Sequence, residues 1–328
     1  MRDIDTQYRI IADGAGWIER TDRGRLRFDG ADRISFLHAL LSNDVATLAP
    51  GGGTFALYLT PQGRMIADLH VFVRPDHVIA DVPAALAAKL AANLDGAIFT
   101  EDVRVTDVST ALRQISVVGR QAASVLARVA STSEPVLREQ PIWSQVEFAH
   151  GFVAKTDDFV EDSWDVLADE AGMREAIAAL ERAGAVLLND TVAEAMRIEA
   201  GRPRFGIDMT EETIPLEAGL LDRAISQTKG CYVGQEVIIR VLHRGGGRVA
   251  KRLARLTVDS TAELPPPDAR ILVDGRDVGR VTSATWSPRA NGPIALGYVA
   301  RDVAEPGREV ALSWADQNIP ARITGLAG

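Results

Sequence analysis

Residues Thr54 to Val73 read TFALYLTPQGRMIADLHVFV. Two apolar runs flank Pro61-Gln62-Gly63, so the stretch is two strands joined by a tight turn. Upstream, RLRFDGADRISFLHALLSNDV (25–45) begins as a strand and turns at Asp29-Gly30. It then becomes a helix, with Ile34, Leu37, His38 and Leu41 on one face at helical spacing. Downstream, DHVIADVP is a further strand, and AALAAKLAANLDG is a helix ended by Gly96.

The mixture continues to about residue 200. VRVTDVS, QISVVG and SWDVLAD read as strands; RQAASVLARVA, GMREAIAALERAG and NDTVAEAMRIEAG read as helices. In the last of these, Thr191 and Glu194 have capping-box spacing and Gly201 supplies the stop. The stretch around Pro135 and Pro141 carries no clear pattern. The fold class is therefore α+β with largely antiparallel sheets. Composition shifts near Gly245-Gly246-Gly247. KRLARLTV, ARILVDGRDVGRVTSATW, PIALGYVA and EVALSW are short strands, and Asp274-Gly275 is a hairpin signal. This tail is expected to be a small β-barrel or sandwich.

The chain has 328 residues, enough for two or three domains. A formal charge of −9 argues against general nucleic-acid affinity. One cysteine forms no internal disulfide and fits a reducing compartment. No apolar run near Met1 resembles a signal peptide, and the alanine-rich stretch from Val82 to Leu94 is too short to span a bilayer. A cytoplasmic location without membrane association is the expectation.

That single cysteine, Cys231, sits in TKGCYVGQEV (Thr228–Val237). A thiol reacts as its thiolate, which a nearby cation such as Lys229 favours. Gly230 and Gly234 allow tight turning, and Gln235 and Glu236 offer an amide and a carboxylate. A lone cysteine is more often an inert small hydrophobe, but this dense polar setting favours use.

KGCYVGQE resembles the signature of the YgfZ family, folate-binding relatives of the glycine-cleavage T-protein. FLHALLSNDV with LYLTPQGRMIADLHVF is similar to the N-terminal folate-domain pattern of that superfamily. RIEAGRPRFGIDMTEETIPLEAGL resembles its central pattern, and VGRVTSATWSP with IALGYV its C-terminal barrel. The resemblance covers roughly Arg25 to Val310. It implies an aminomethyltransferase (T-protein)-like three-module folate-binding fold. Residues 1–244 would form an α+β region of two intertwined modules, and 245–328 a C-terminal β-barrel domain. It also implies tetrahydrofolate or a derivative as cofactor. The implied role is support of the assembly or repair of 4Fe–4S enzymes, including tRNA-modifying radical enzymes. The implied partners are such enzymes or cluster-assembly proteins, with Cys231 as the working residue.

T-proteins carry two successive acids where this chain has Ala67 and Asp68. The retained Asp68 is the one expected to face the folate nitrogens and act in catalysis; a solvent-facing strand residue is the alternative. Glu199 matches the position expected to bind the pterin, since a carboxylate accepts paired N–H groups from a 2-amino-pyrimidine edge; a surface acid near a helix end is the alternative. Arg197 and Arg223 are weaker candidates for the folate glutamate tail, and Lys229 completes the expected binding set. The motif residues are Lys229, Gly230, Cys231, Tyr232, Gly234, Gln235 and Glu236. Ser42-Asn43-Asp44 suits a turn or capping role. The five histidines show no metal spacing, and one cysteine cannot hold a cluster alone.

Between Glu236 and Asp259 stand Arg240, Arg244, Arg248, Lys251, Arg252 and Arg255, with no acid. The segment suits a folate polyglutamate tail or an acidic partner, or is simply a solvated face; without interleaved aromatics, direct RNA binding is not expected. Two further readings stay open. One is a folate-dependent aminomethyltransferase or other one-carbon transferase; the other is an interaction scaffold that keeps the pocket only as fold.

Overall fold

A computed structural model gives the fold and describes residues 4–244, 246–259 and 263–328. The side chain of Arg244 and all of Gly245, where the sequence places its domain boundary, lie outside the described residues. The chain enters through α1 (Ile4–Asp13) and β1 (Gly16–Glu19), then forms β2 (Arg23–Asp29), α2 (Arg33–Leu40), β3 (Gly53–Leu59), β4 (Met65–Val73), β5 (Val78–Pro83), α3 (Ala87–Asp95) and β6 (Arg104–Asp107). It continues through β7 (Arg113–Val118), α4 (Ala122–Val129), α5 (Glu134–Glu139), β8 (Gln145–Phe148), β9 (Gly151–Thr156), β10 (Ser163–Ala168), α6 (Glu170–Arg182) and β11 (Val186–Leu187). After α7 (Asp190–Ala200), α8 (Leu221–Ala224) and α9 (Gln235–Ile239) come β12 (Lys251–Val258), β13 (Arg270–Val273), β14 (Arg276–Ser287), β15 (Gly292–Ala300), β16 (Glu309–Trp314) and β17 (Gln317–Leu326).

Three sheets result. One has the order β3-β4-β5-β2-β6 and is antiparallel throughout. A second runs β11-β1-β7-β10-β9-β8, with only the β1–β11 pair parallel. The last six strands close into a barrel, so barrel rather than sandwich is the outcome. Asp274 and Gly275 both take positive φ in the β13–β14 turn, as a two-residue hairpin requires.

Alternation along the strands explains the layering. In β4, Ala67, Leu69, Val71 and Val73 join the core made with Leu37 of α2 and Leu90 and Leu94 of α3. Asp68, His70 and Phe72 point the other way. The second sheet packs Ile115, Val117, Trp164 and Val166 against α4 and α6. Its opposite face meets the first sheet: Phe55, Leu57, Phe72 and Ile79 share a core with Phe152, Ala154 and Leu167. A polar layer lies beside that apolar seam.

The sequence reading needs correction at the start of α7. Thr191 and Glu194 form no capping box. The cap is Asn189, whose side chain accepts from the Val192 amide at 2.9 Å; Glu194 instead pairs with Arg197 and Arg204. Gly201 does end the helix, in the left-handed region at φ 71°. Strands β1, β8, β9 and β17 and helices α1 and α5 have no counterpart in the sequence reading. Among the described residues no helix is long and apolar enough to cross a membrane.

Candidate active site

Where the two sheets face each other near α7 and α8, they leave a cavity of about 240 Å³. β2 and the turn before it supply Arg20, Asp22 and Arg23; β3 and β4 supply Phe55, Asp68 and His70. The β9–β10 connection supplies Asp158 and Phe159. α7 turns Asp190, Ala193 and Arg197 toward it at helical spacing, and Arg202, Arg204 and Arg223 complete the wall.

Asp68 is buried, at 5% exposure. Its Oδ2 accepts from Arg23 Nη1 at 2.9 Å, while its Oδ1 is buried with no hydrogen-bond partner among the described residues. A buried carboxylate oxygen without a donor is costly, so Oδ1 is poised to accept an N–H or O–H from a ligand in the cavity. Arg23 also donates from Nε to Asp81 Oδ1 at 2.7 Å and from Nη2 to the Asp81 carbonyl. One guanidinium therefore orients both acids.

His70 stands two residues beyond Asp68 and lies face to face with Trp143, ring centres 4.5 Å apart. Its Nδ1 meets Asp81 Oδ2 at 3.0 Å and its Nε2 faces Asp158 Oδ1 at 3.7 Å. Burial opposes charging of the imidazole, but Asp158 and Asp81 outweigh it and raise the pKa above 6.5. Burial likewise opposes ionisation of Asp158, yet His70, Arg20 and Arg223 hold that carboxyl at about 2. Asp81 lies well below the usual carboxylate range because Arg23 and His70 overcome its burial. Asp165 behaves oppositely. Burial dominates, Asp158 and Asp81 add to it, and its carboxyl is pushed up to about 6.

His70, Asp158 and Asp165 bring ligand-type atoms within 4.8 Å of one another. Arg20 and Arg223 pair with Asp158, and Ser116 and Gln114 donate to the two Asp165 oxygens. The cluster is thus an already neutralised ion-pair network, a poor host for a cation.

Of the residues expected from sequence, Asp68, Arg197 and Arg223 meet at this cavity. Arg223 binds Asp157 through two nitrogens and lies 4.8 Å over the Phe55 ring. Arg197 is fully engaged by Glu194, Asp208, Ser283 and the Arg202 carbonyl, so it ties α7 to the barrel rather than offering donors. Glu199 does not join them. Two residues beyond Arg197, it is rotated about 200° round the helix. Its Oε1 accepts from Tyr8 at 3.0 Å and Ser287 at 2.5 Å, in a separate cavity against the barrel. Arg23, His70, Asp81 and Asp158 were not anticipated. His70 alone carried a signal, being at i+2 from Asp68 on one strand.

Cys231 is free and exposed, and it does not line the cavity. Lys229 does not serve its thiol as expected. Its ammonium donates to the carbonyls of His38, Leu41 (2.5 Å) and Asn43 (3.2 Å), closing the end of α2 where carbonyls lack helical partners. Burial there lowers its pKa to about 8. Tyr232 is buried in the inter-sheet core, and burial pushes its phenol up to about 12. Gly234, at φ 83°, packs so closely on the β3–β4 turn that a Cβ would lie 2.5 Å from the Thr60 carbonyl oxygen. Gly230 has open space around it, and Gln235 and Glu236 open α9. The loop is thus pinned on both sides of a thiol left facing solvent. Ser42 and Asn43 form a bend after α2. The Asn43 amide donates to Thr54, Phe55 and Arg223, and the Ser42 hydroxyl to Ala224, holding α8 against β3.

A family model described as GCVT N-terminal domain matches residues 2–229, and one described as Glycine cleavage T-protein C-terminal barrel domain matches residues 251–327. An aminomethyltransferase of Nostoc sp. is 28% identical over 325 residues, covering 97% of this chain and 85% of the relative. One from Geobacillus kaustophilus is 29% identical over 330 residues, covering 98% and 89%. A putative chloroplastic transferase of Arabidopsis thaliana is 27% identical over 309 residues, covering 93% and 69%. The crystal structure of the glycine cleavage system aminomethyltransferase T from Bartonella henselae matches with a TM-score of 0.86 at 20% identity, covering 98% of this chain and 88% of that one. That likeness establishes an aminomethyltransferase-like fold.

Proposed function

The chain belongs to the family of the GCVT N-terminal domain with its glycine cleavage T-protein C-terminal barrel, and from that premise we propose that it binds a reduced folate, tetrahydrofolate or a derivative, in the Asp68 cavity. The observation that carries this reading is the orphaned, buried Asp68 Oδ1. A pterin head presents N–H groups to such an acceptor. A cavity of about 240 Å³ suits that head with the tail directed outward. Arg204 at the wall, whose guanidinium pairs only with Glu194 at 3.2 Å among the described residues, suits a tail carboxylate; Arg202 and Arg223 are already held by Asp157.

Within the family we place the protein with YgfZ-type accessory factors. It would assist the assembly or repair of 4Fe–4S enzymes, tRNA-modifying radical enzymes among them, in the cytoplasm. What supports this is the KGCYVGQE loop, which fixes the backbone through Lys229, Tyr232 and Gly234 and leaves Cys231 exposed. A solvent-facing thiol is what thiol exchange or transient ligation of a partner's cluster needs. The second reading, an aminomethyltransferase or other one-carbon transferase with Asp68 as acid–base group, is favoured by the names of the relatives. Ala67 in place of the first T-protein acid speaks against it.

The two separate in one experiment. Cells lacking the gene are complemented with wild type or Cys231→Ala, and 4Fe–4S enzyme activities are measured beside turnover of reduced folate by the purified protein. The accessory reading expects rescue by wild type alone and no turnover. Folate turnover that Asp68→Asn abolishes, with 4Fe–4S activities unaffected by the deletion, would replace it with the transferase.

A further inference from the structure

The segment after the thiol loop has a use that the cavity does not explain. α9 runs on into a wider helical turn over Arg240–Arg244. Ile238 is buried, and Val241 and Leu242 pack against the inter-sheet core. The opposite side, with Ile239, Arg240 and His243, is exposed, and so is Arg248 beyond it. Ile239 keeps 43% of its surface in water and so can offer an apolar contact beside the cations. Neither Arg240 nor Arg248 has a carboxylate partner among the described residues. Glu236, one helical turn before Arg240, is also exposed, but from Val237 to Val258 the sequence holds no acid, although the whole chain carries a charge of −9.

We propose that this face is a docking surface for an acidic partner protein, seated so that its target group reaches Cys231. The idea rests on the reading of Cys231 as a thiol that serves partners. Clustered unpaired cations on an acidic molecule provide local complementarity and steering, and the exposed isoleucine provides an apolar contact within a charged rim. Cys231 stands no more than about 22 Å from Arg240, given four extended residues and five helical ones between them. The face carries no Phe, Tyr or Trp for stacking bases, only the His243 imidazole, so the complementarity is to protein acids rather than to RNA.

Two measurements on the full chain test this. Binding of fluorescein-labelled poly-L-glutamate, about 20 residues long, is followed by anisotropy. Rescue of 4Fe–4S enzymes is followed in deletion cells. Wild type and Arg240→Lys/Arg248→Lys should bind poly-glutamate in a salt-sensitive manner, and Arg240→Glu/Arg248→Glu should bind at least about tenfold more weakly. The charge-reversed protein should still bind tetrahydrofolate, unfold at the wild-type temperature and fail to rescue. The proposal is overturned if wild type ignores poly-glutamate, if charge reversal leaves that binding or the rescue intact, or if an RNA 20-mer binds this face more tightly than poly-glutamate. If Cys231→Ala fails to rescue while the charge-reversed variant succeeds, the docking surface falls and the thiol reading stands. If charge reversal abolishes both binding and rescue while Cys231→Ala rescues fully, the surface stands and the thiol reading falls.

Discussion

Replacing Arg23 by methionine should expose how the cavity is held together. Arg23 is 7% exposed and bridges Asp68 and Asp81, themselves 5% and 0% exposed. Methionine fills much of the volume but removes three donors. Asp81 keeps two partners, His70 Nδ1 and Gln114 Nε2, each at 3.0 Å. Asp68 keeps none, because its other oxygen is already orphaned. Stranding a buried charge in this way costs about 3–5 kcal/mol. Asp68→Asn alone turns its single oxygen to Arg23, replacing a charge-assisted hydrogen bond by a neutral one and placing the NH2 at the orphaned position, and leaves Arg23 with Asp81, for about 1–2 kcal/mol. In the double variant the stranded anion is gone, so adding Asp68→Asn to Arg23→Met should return about 2 kcal/mol of the loss. Urea unfolding of the four proteins at pH 7 closes the cycle. The reasoning fails if Arg23→Met costs no more than Asp68→Asn, or if the double variant is less stable than Arg23→Met.

Three further outcomes follow from single contacts. Gly234→Ala puts a Cβ 2.5 Å from the Thr60 carbonyl oxygen at a positive φ; thermal unfolding should show a loss of about 2 kcal/mol or more. Asp165, pushed up to about 6, holds its proton more tightly folded than unfolded. It therefore stabilises below the ordinary carboxylate range and loses that contribution as pH rises through about 6. Relative to wild type, Asp165→Asn should gain up to about 3 kcal/mol between pH 4 and pH 7, read from urea unfolding at both values. The exposed Cys231 should react fully with a thiol reagent in the folded protein, without denaturant; protection until denaturant is added would contradict its placement.

Local chemistry made much of the fold readable. The Pro61-Gln62-Gly63 turn between apolar runs and the Asp274-Gly275 hairpin each sit where the sequence puts them. β17 is not legible as a strand because Pro320 interrupts its pattern, and proline inside a run argues against a strand. β8 has four residues, none of them fully buried, so it offers little periodicity. In the site, Asp68 came through because its motif is contiguous. Its partners did not, because Arg23, Asp81 and Asp158 come from separate elements and meet only through sheet pairing and sheet packing. Glu199 is the opposite case. The resemblance placed it with Arg197, but two residues along a helix point to different sides, and that arithmetic prevailed. Lys229 illustrates a third limit: a cation near a thiol in sequence found stronger acceptors in the open end of α2.

Calorimetric titration of tetrahydrofolate into the wild type, Asp68→Asn and Glu199→Gln, under anaerobic conditions, tests the cavity assignment most directly. Loss of the orphaned acceptor should weaken binding by about tenfold or more, while Glu199→Gln, facing the separate cavity, should stay within about threefold of wild type. Wild-type affinity in Asp68→Asn, or binding lost in Glu199→Gln alone, would contradict the assignment.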